Sequence, residues 1–462
     1  MMTRSTILAA LLVAALGASG CATVSRLNPF DKKDEGPAEL AGEGQRISII
    51  PPDQVLEPAA SLKGVDFALP PAEKVTAWAL PGGVVEQAMG NVDAAPDLTI
   101  AWRKSFGQGA KRGRYLTAPP VAADGKVFLM DAEGRVAALD ARSGAQLWRT
   151  ATNPGDNKRD RLAFGGGVAY ADGKLYVASG YRQVMQMDAG TGAIGWRAKT
   201  SESIHGAPTV SGGRMFVVAL DNTLLTFDIA TGAPSWTYQA LSESSRILSA
   251  SSPAISGDTV VSAFGSGELV ALRTANGNDL WNEALSRASR TSALSEIRDI
   301  PGRPAIYQGD VFAVSHSGVF AATDLRTGQA RWTLPVVGVT APWPAGDVVY
   351  VVSKNGEVIC ASRENGQIFW MRPLNEGFKS KRKGGVFGLG GQRQNRPIWS
   401  GPLLANDRLL IVGQTGEMVV LNAKTGEITK RIDLKGSSIT SPIALGDMVY
   451  VVTQEADLIA IR

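Results

Sequence analysis

From Leu98 onward, apolar and polar positions along the chain repeat in a fixed order. Each unit opens with a short segment of small residues and proline, such as TAPPVAAD from Thr117. A β-branched or aromatic run follows, such as KVFLMD from Lys126, and after a turn comes a third run such as RVAALD from Arg135. Short runs at even spacing, with turn residues between them, are typical of β-strands. The pattern therefore predicts an all-β protein built from repeated units.

A fixed spacing of Asp, Gly and Trp follows the third run. Gly144 lies four residues after Asp140, and Trp148 lies four residues after Gly144, within a fourth predicted strand. Gly in such a short turn can adopt the left-handed conformation that side chains disfavour. Further copies, strict and then looser, are Asp188/Gly192/Trp196, Asp228/Gly232/Trp236, Asp324/Gly328/Trp332, Arg273/Gly277/Trp281, Ser362/Gly366/Trp370 and Asn422/Gly426/Lys430. A period of roughly 40–50 residues indicates a repeat architecture.

The number of predicted strands indicates how the repeat closes. First, second and third strands each occur eight times, but the fourth occurs seven times in series because the chain ends at Arg462. The missing strand is found at the other end, in Asp97–Phe106, which carries Trp102 and has no strands before it. A ring in which this strand completes the last blade leaves no open edge. We predict an eight-bladed β-propeller of four-stranded antiparallel blades.

The Trp residues at this register admit two interpretations. They could stack on a ligand, or they could pack between neighbouring blades, where an indole supplies a large apolar surface. Equal spacing in nearly every blade favours packing, because a ligand site has no reason to recur around the ring. These residues are Trp102, Trp148, Trp196, Trp236, Trp281, Trp332 and Trp370.

Composition changes this picture mainly by exclusion. The chain has 462 residues, of which 44% are hydrophobic and 19% charged, enough for a large core. A net charge of +4 is too small to argue for nucleic acid, and no Arg/Lys stripe interleaves with the strands. We therefore expect no nucleic-acid partner.

Residues 1–20 have the pattern of an export signal. Arg4 precedes the apolar run Ile7–Leu16, and small residues lead to Cys21. This ending resembles a bacterial lipobox, which implies a lipid (palmitate-bearing) anchor on Cys21, and Ala22 resembles the signal for sorting to the outer membrane. An ordinary signal peptide with an incidental Cys is the alternative. No later stretch reaches the ~20 apolar residues of a spanning helix.

Composition also divides the exported chain. Residues 21–95 lack the repeat and are rich in Pro and Ala, which predicts a tether whose later part packs on the propeller at 96–462. A basic insertion at 372–397 could meet anionic lipid head groups or an acidic partner, or remain an unstructured loop. Cys360 lies in an apolar strand, where a buried thiol is expected.

No catalytic constellation is present in the sequence. His205 and His316 sit in different units without a repeated carboxylate partner. There is no hydrolase elbow, phosphate-binding loop or His-rich metal motif. We expect no enzyme, no catalytic residue, no metal and no cofactor.

The Asp-x-x-Thr-Gly-x-x-x-Trp repeat resembles that of quinoprotein-type propellers. Two such families matter: the PQQ-dependent alcohol dehydrogenases and BamB, a lipoprotein family of the outer-membrane β-barrel assembly machinery. The dehydrogenases typically place adjacent cysteines over the cofactor and Asp with Glu or Asn around calcium, and this sequence lacks both features. Resemblance to BamB implies a scaffold lipoprotein on the periplasmic face of the outer membrane. A periplasmic quinoprotein-like oxidoreductase and a polysaccharide-binding propeller are the alternatives.

The BamB resemblance also implies partners and a binding surface. The partners are BamA, through its POTRA domains, other subunits of the complex, and unfolded outer-membrane proteins as a further candidate. Ser244–Leu248 matches the place of an Arg/Leu surface, and Ser295–Ile300 matches a neighbouring acidic loop in which Pro301 replaces one of two acidic residues. Ordinary solvated loops are the alternative. The residues predicted to bind the partner are Arg246, Ile247, Leu248, Glu296, Arg298 and Asp299.

Overall fold

A computed structural model describes residues 56–153, 163–242, 251–286, 297–378 and 396–462, together with the backbone at 382–383 and 392–393. These residues belong to the unit Pro52–Arg462. A single 3-10 turn at Ala60–Leu62 accompanies the strands in this part of the chain.

Eight four-stranded antiparallel sheets form the blades of a propeller, and a two-stranded hairpin is inserted after the sixth. The chain begins with β1 (Ile100–Ser105). Blades 1 to 4 are β2 (Val121–Ala123), β3 (Lys126–Met130), β4 (Arg135–Asp140), β5 (Gln146–Ala151); β6 (Gly166–Ala171), β7 (Lys174–Ser179), β8 (Gln183–Asp188), β9 (Ile194–Lys199); β10 (Thr209–Ser211), β11 (Arg214–Val218), β12 (Thr223–Asp228), β13 (Pro234–Gln239); and β14 (Ala254–Ser256), β15 (Thr259–Ala263), β16 (Glu268–Arg273), β17 (Asp279–Ala284).

The remaining blades continue in the same order. Blades 5 and 6 are β18 (Ala305–Tyr307), β19 (Asp310–Val314), β20 (Phe320–Asp324), β21 (Ala330–Leu334); and β22 (Trp343–Ala345), β23 (Val348–Val352), β24 (Glu357–Ser362), β25 (Ile368–Pro373). The inserted hairpin and the last strands are β26 (Arg382–Lys383), β27 (Gln392–Arg393); β28 (Trp399–Ala405), β29 (Arg408–Gly413), β30 (Glu417–Asn422), β31 (Ile428–Asp433); and β32 (Ile443–Leu445), β33 (Met448–Val452), β34 (Asp457–Ile461).

The first strand of the chain closes the ring. β1 pairs antiparallel with β34, so that Ser105 lies opposite Asp457 and Ile100 opposite Ile461, and the eighth sheet has the order β1-β34-β33-β32. The predicted eight-bladed propeller, with the N-terminal strand completing the last blade, is confirmed. Closure of this kind removes the open edge that would otherwise expose unpaired backbone groups.

Neighbouring blades meet where a Trp of one blade lies on a Gly of the next. Gly232 has φ +74°, and a Cβ added there would lie 2.5 Å from Cε3 of Trp196. Nε1 of Trp196 donates a hydrogen bond to the Ile229 carbonyl at 3.0 Å. A Gly is therefore required at this position for two reasons: the turn is left-handed, and the indole leaves no room for a Cβ. The equivalent Trp–Gly contacts are Trp102–Gly144, Trp148–Gly192, Trp236–Gly277, Trp281–Gly328, Trp332–Gly366 and Trp370–Gly426.

The Asp of the repeat holds the same turn in shape. Oδ1 of Asp188 accepts hydrogen bonds from the amides of Gly190 at 3.1 Å and Thr191 at 3.0 Å, and from the Thr191 hydroxyl at 3.0 Å. The Lys174 ammonium, followed by the Thr191 hydroxyl and amide, lowers the pKa of Asp188 to about 2. A short side chain whose carboxylate oxygen accepts these hydrogen bonds fixes a tight turn. This explains why an Asp precedes the Gly by four residues.

The seam between blades 7 and 8 is built differently. Blade 8 takes its fourth strand from the start of the chain, so no continuous turn carrying a Gly joins β34 to β1. Lys430 stands where a Trp would, and its Nζ donates to the carbonyls of Leu98 at 2.9 Å and Asp97 at 3.3 Å. Thr99 and Arg462 exchange two backbone hydrogen bonds at the same place. The Lys for Trp replacement thus follows from ring closure.

The strands alternate in direction, so the propeller has two different faces. The hairpin face carries the turns that join first to second and third to fourth strands. The loop face carries the turns that join second to third strands and the connections from one blade to the next. Residues 56–99 cross the hairpin face.

These N-terminal residues bond to every blade. Backbone hydrogen bonds to blades 1, 2, 4 and 5 are Trp78–Ala122, Ala79–Tyr170, Val85–Ile255 and Glu86–Ile306, and those to blades 6, 7 and 8 are Ala68–Asp347, Val92–Leu404 and Val75–Gly446. Blade 3 is reached by Nε2 of Gln87, which donates to Oγ1 of Thr209 at 3.3 Å. Trp78 is fully buried and stacks on Trp343, with ring centroids 6.2 Å apart. The hairpin face is therefore covered by the chain's own N-terminal segment.

Gly232→Ala should destabilise the fold more than Gly213→Ala. Both glycines have positive φ, +74° and +75°, but a Cβ at Gly213 meets no atom within 4 Å. The backbone cost is about 1–2 kcal/mol in each case, and the clash with Trp196 adds about 1–3 kcal/mol at Gly232. Urea unfolding followed by fluorescence measures both. Equal losses would show that the indole does not require the Gly.

Candidate functional site

The connections between blades, all on the loop face, include segments much longer than the turns on the hairpin face. First-to-second strand turns on the hairpin face are as short as Asp172–Gly173, whereas residues 240–253 join blade 3 to blade 4 and residues 285–304 join blade 4 to blade 5. These two connections contain the residues predicted to bind a partner. Of the predicted site residues, the anchor Cys21 and the partner residues Arg246, Ile247, Leu248 and Glu296 lie outside the described residues.

The structure places Arg298 and Asp299 between the second-to-third strand turns of blades 4 and 5. The Ile300 amide donates to the Phe264 carbonyl at 3.3 Å, and the His316 amide donates to the Asp299 carbonyl at 2.9 Å. Arg298 is exposed, whereas Asp299 is only 2% exposed. Of this pair, only Arg298 presents its side chain to an approaching protein.

Leu241 is a candidate that sequence reasoning missed. Its side chain is 68% exposed, although its backbone is firmly held. Oε2 of the buried Glu268 accepts a hydrogen bond from the Leu241 amide at 2.7 Å, and Nδ2 of Asn222 donates to the Leu241 carbonyl at 2.6 Å. An exposed apolar side chain on a backbone held by two hydrogen bonds has the character of an interface anchor. Its only signal in the sequence is a Leu just beyond the alternating strand β13.

His316 links the 297–300 segment to blade 6. Nζ of Lys354 lies 2.7 Å from Nε2 of His316, so the imidazole accepts this hydrogen bond in its neutral form. The other side of the ring bonds to the Ile297 backbone. Burial, followed by the Lys354 charge, lowers the pKa of His316 below 6.5. His205, the other histidine, is buried against Phe164 with ring centroids 4.4 Å apart.

A cavity of about 330 Å³ lies on the ring axis between the loop face and the N-terminal segment. Residues at the beginning of the first strands of seven blades form its wall, and Pro81 of the N-terminal segment also lines it. The wall contains one Arg or Lys, Arg303, and no Asp or Glu among the described residues. Calcium requires oxygen ligands, usually carboxylates, so these residues do not fit the calcium-and-quinone pair of the dehydrogenases.

The remaining candidate groups are a cysteine thiol and side chains that could bind a metal ion. Cys360 is fully buried, and burial raises the pKa of its thiol. Within the described ranges, no group of three or more His, Cys, Asp and Glu side chains is arranged to hold a metal ion. No helix in this part of the chain is long and apolar enough to span a membrane.

Eight blades, joined at seven of their eight seams by Trp–Gly contacts, are the repeat architecture of PQQ-type β-propellers. The family model described as outer membrane protein assembly factor BamB matches residues 132–372 and 386–462. Since these ranges cover well over half of the sequence, the chain belongs to the BamB family. A second model, for the β-propeller domain of glucose/ethanol/alcohol dehydrogenase, matches residues 89–174.

Individual proteins of the same family are similar to this chain in sequence and in fold. The outer membrane protein assembly factor BamB of Moranella endobia is 25% identical over 350 residues, 75% of this chain and 85% of that protein. The structure of BamB from Moraxella catarrhalis has a TM-score of 0.64 at 19% identity and covers 79% of this chain and 99% of its own. A quinohemoprotein alcohol dehydrogenase from Pseudomonas putida HK5 has a TM-score of 0.62 at 14% identity, covering 84% and 80%. These structural likenesses concern the fold alone.

Lys354→Met should raise the pKa of His316 toward 6.5, because the ammonium that opposes protonation of the ring is removed. A lowered pKa in the folded state means that the unfolded chain binds the proton more tightly. The neutral, hydrogen-bonded His316 therefore makes its full contribution to the free energy of unfolding above about pH 6.5. This contribution is lost as the pH falls below that value. An NMR titration measures the pKa, with His316→Gln identifying the resonance. An unchanged pKa in Lys354→Met would contradict the assigned contact.

Proposed function

We propose that this chain is a non-enzymatic scaffold of the machinery that assembles β-barrel proteins in the outer membrane. The observation that carries the proposal is the BamB family match along most of the propeller. Relatives that align with about three quarters of this chain are named as outer membrane protein assembly factors. The lack of carboxylates in the described wall of the axial cavity supports a scaffold over a quinoprotein-like oxidoreductase.

We place the partner surface on the loop face. Residues 56–99 already cover the hairpin face, with hydrogen bonds to all eight blades. On the loop face, exposed Leu241 and Arg298 offer the apolar and cationic groups that often anchor protein interfaces. Arg246–Leu248 follow Leu241 in the same connection and would extend this surface. The BamB resemblance makes the POTRA domains of BamA the proposed partner, with other subunits and unfolded outer-membrane proteins as further candidates.

We also propose that the mature chain is anchored to the periplasmic face of the outer membrane by lipid on Cys21. The sequence between this residue and the propeller would then act as a tether. Fractionation of cells tests the anchor, because Cys21→Ser should leave the membrane fraction. A Cys21→Ser chain that still sediments with outer membranes would argue against it.

Leu241→Asp and Arg298→Glu should each reduce the amount of BamA that co-purifies with the chain, since they place a negative charge in the proposed interface. Leu147→Asp and Arg326→Glu are matched controls, because these residues are exposed away from the loop face, on β5 and on a hairpin-face turn. Binding of the isolated POTRA region measures the same effect, with about tenfold weaker affinity expected for each loop-face variant.

The results separate the two parts of the proposal. Equal recovery of BamA with all four variants would leave the assembly function standing and refute the site on the loop face. Absence of BamA from the wild-type preparation would refute the assembly function itself.

A further inference from the structure

Among the described residues, the wall of the axial cavity contains a cation, Arg303, without a carboxylate counterion. Nε of Arg303 is buried and has no hydrogen-bond partner among the described residues. The wall around it contains no carboxylate in the part of the chain that the structure describes. Arg303 lies at the end of the connection from blade 4, two residues before β18 of blade 5, so its backbone is held close to a strand of the ring. The side chain of Arg303 as a whole is half-buried. A partly desolvated charge is stabilised when an opposite charge accompanies it.

Two hydroxyl groups of the same wall also lack partners. Oγ1 of Thr117 in blade 1 and Oγ1 of Thr440 in blade 8 are buried without a hydrogen bond within the described residues. Buried polar atoms are normally satisfied by protein, water or ligand. Three unsatisfied groups from three blades thus share one cavity, and all three can donate a hydrogen bond to oxygen.

We propose that this cavity binds a small organic monocarboxylate with an apolar body, its carboxylate paired with Arg303. A guanidinium matches a carboxylate through two parallel hydrogen bonds, and the two Thr hydroxyls are further donors in the same wall. The site is independent of the partner surface proposed above.

The other wall residues select among anions. Pro81, Ala207, Val339, Ala341, Ile398 and Ile439 give the cavity apolar sides. One fixed cation balances one negative charge, so a multiply charged anion such as phosphate would bring an uncompensated charge into apolar surroundings. A volume of about 330 Å³ lies at the lower end of the range for small-molecule sites. Benzoate therefore has suitable charge, shape and size as a probe.

The charge state of the Arg agrees with this binding mode. Burial lowers the pKa of Arg303 to about 10. The guanidinium therefore remains protonated at neutral pH, while the direction of the shift shows that its charge lies in an unfavourable environment.

Isothermal titration of the purified full chain with sodium benzoate tests the site. We expect saturable binding to the wild type, binding at least about tenfold weaker in Arg303→Gln, and unchanged binding in Arg326→Gln, a matched control with an exposed arginine on a hairpin-face turn. Benzamide, which has the same shape without the charge, and inorganic phosphate should not displace benzoate. Absence of binding to the wild type, equal binding by Arg303→Gln, or displacement by benzamide or phosphate would overturn the proposal.

A second variant protects the test against misfolding. Thr440→Val removes one hydroxyl and leaves the charge in place, so benzoate should bind a few-fold more weakly. Thermal unfolding supplies an independent measurement, because benzoate should raise the midpoint of the wild type and of Arg326→Gln but not that of Arg303→Gln. A benzoate-induced shift in Arg303→Gln equal to that of the wild type would contradict the pairing.

Discussion

The contact between an indole of one blade and the left-handed glycine of the next joins most of the ring. It couples backbone conformation to packing, because the glycine that makes the turn possible also leaves room for the ring above it. Removing a packed Trp from a core costs about 3–5 kcal/mol, which is large beside a total stability of about 5–15 kcal/mol. A rigid ring built in this way can hold loops from different blades in fixed relation.

Ring closure accounts for the one seam where this contact is missing. At Lys430 the next blade offers the start of the chain instead of a turn, and the side chain bonds to two backbone carbonyls. The residues before β1 then continue across the hairpin face and bond to all eight blades. Closure and covering thus use one continuous segment, and they leave the loop face for other interactions.

The repeat made the fold predictable, since each blade displays the same Asp, Gly and Trp positions and the strand count requires the first strand to close the ring. Features without a counterpart in other blades were harder to predict. The burial of Asp299, whose role as a partner residue stays a prediction, is one such feature, because its exposure depends on how the turns of blades 4 and 5 pack around it. Leu241 and Arg303 were missed, since a single exposed Leu or unpaired Arg becomes visible only when burial and partners are known.

Hydrogen exchange of the chain alone and in complex with the POTRA region of BamA tests the proposed use of the two faces most directly. We predict that amides at 239–242 and 297–300 on the loop face exchange more slowly in the complex. Amides at 346–347 and 446–447 on the covered hairpin face should exchange at the same rate in both states. Slower exchange confined to the hairpin face would contradict the proposed orientation and show that the partner docks on the N-terminal segment instead.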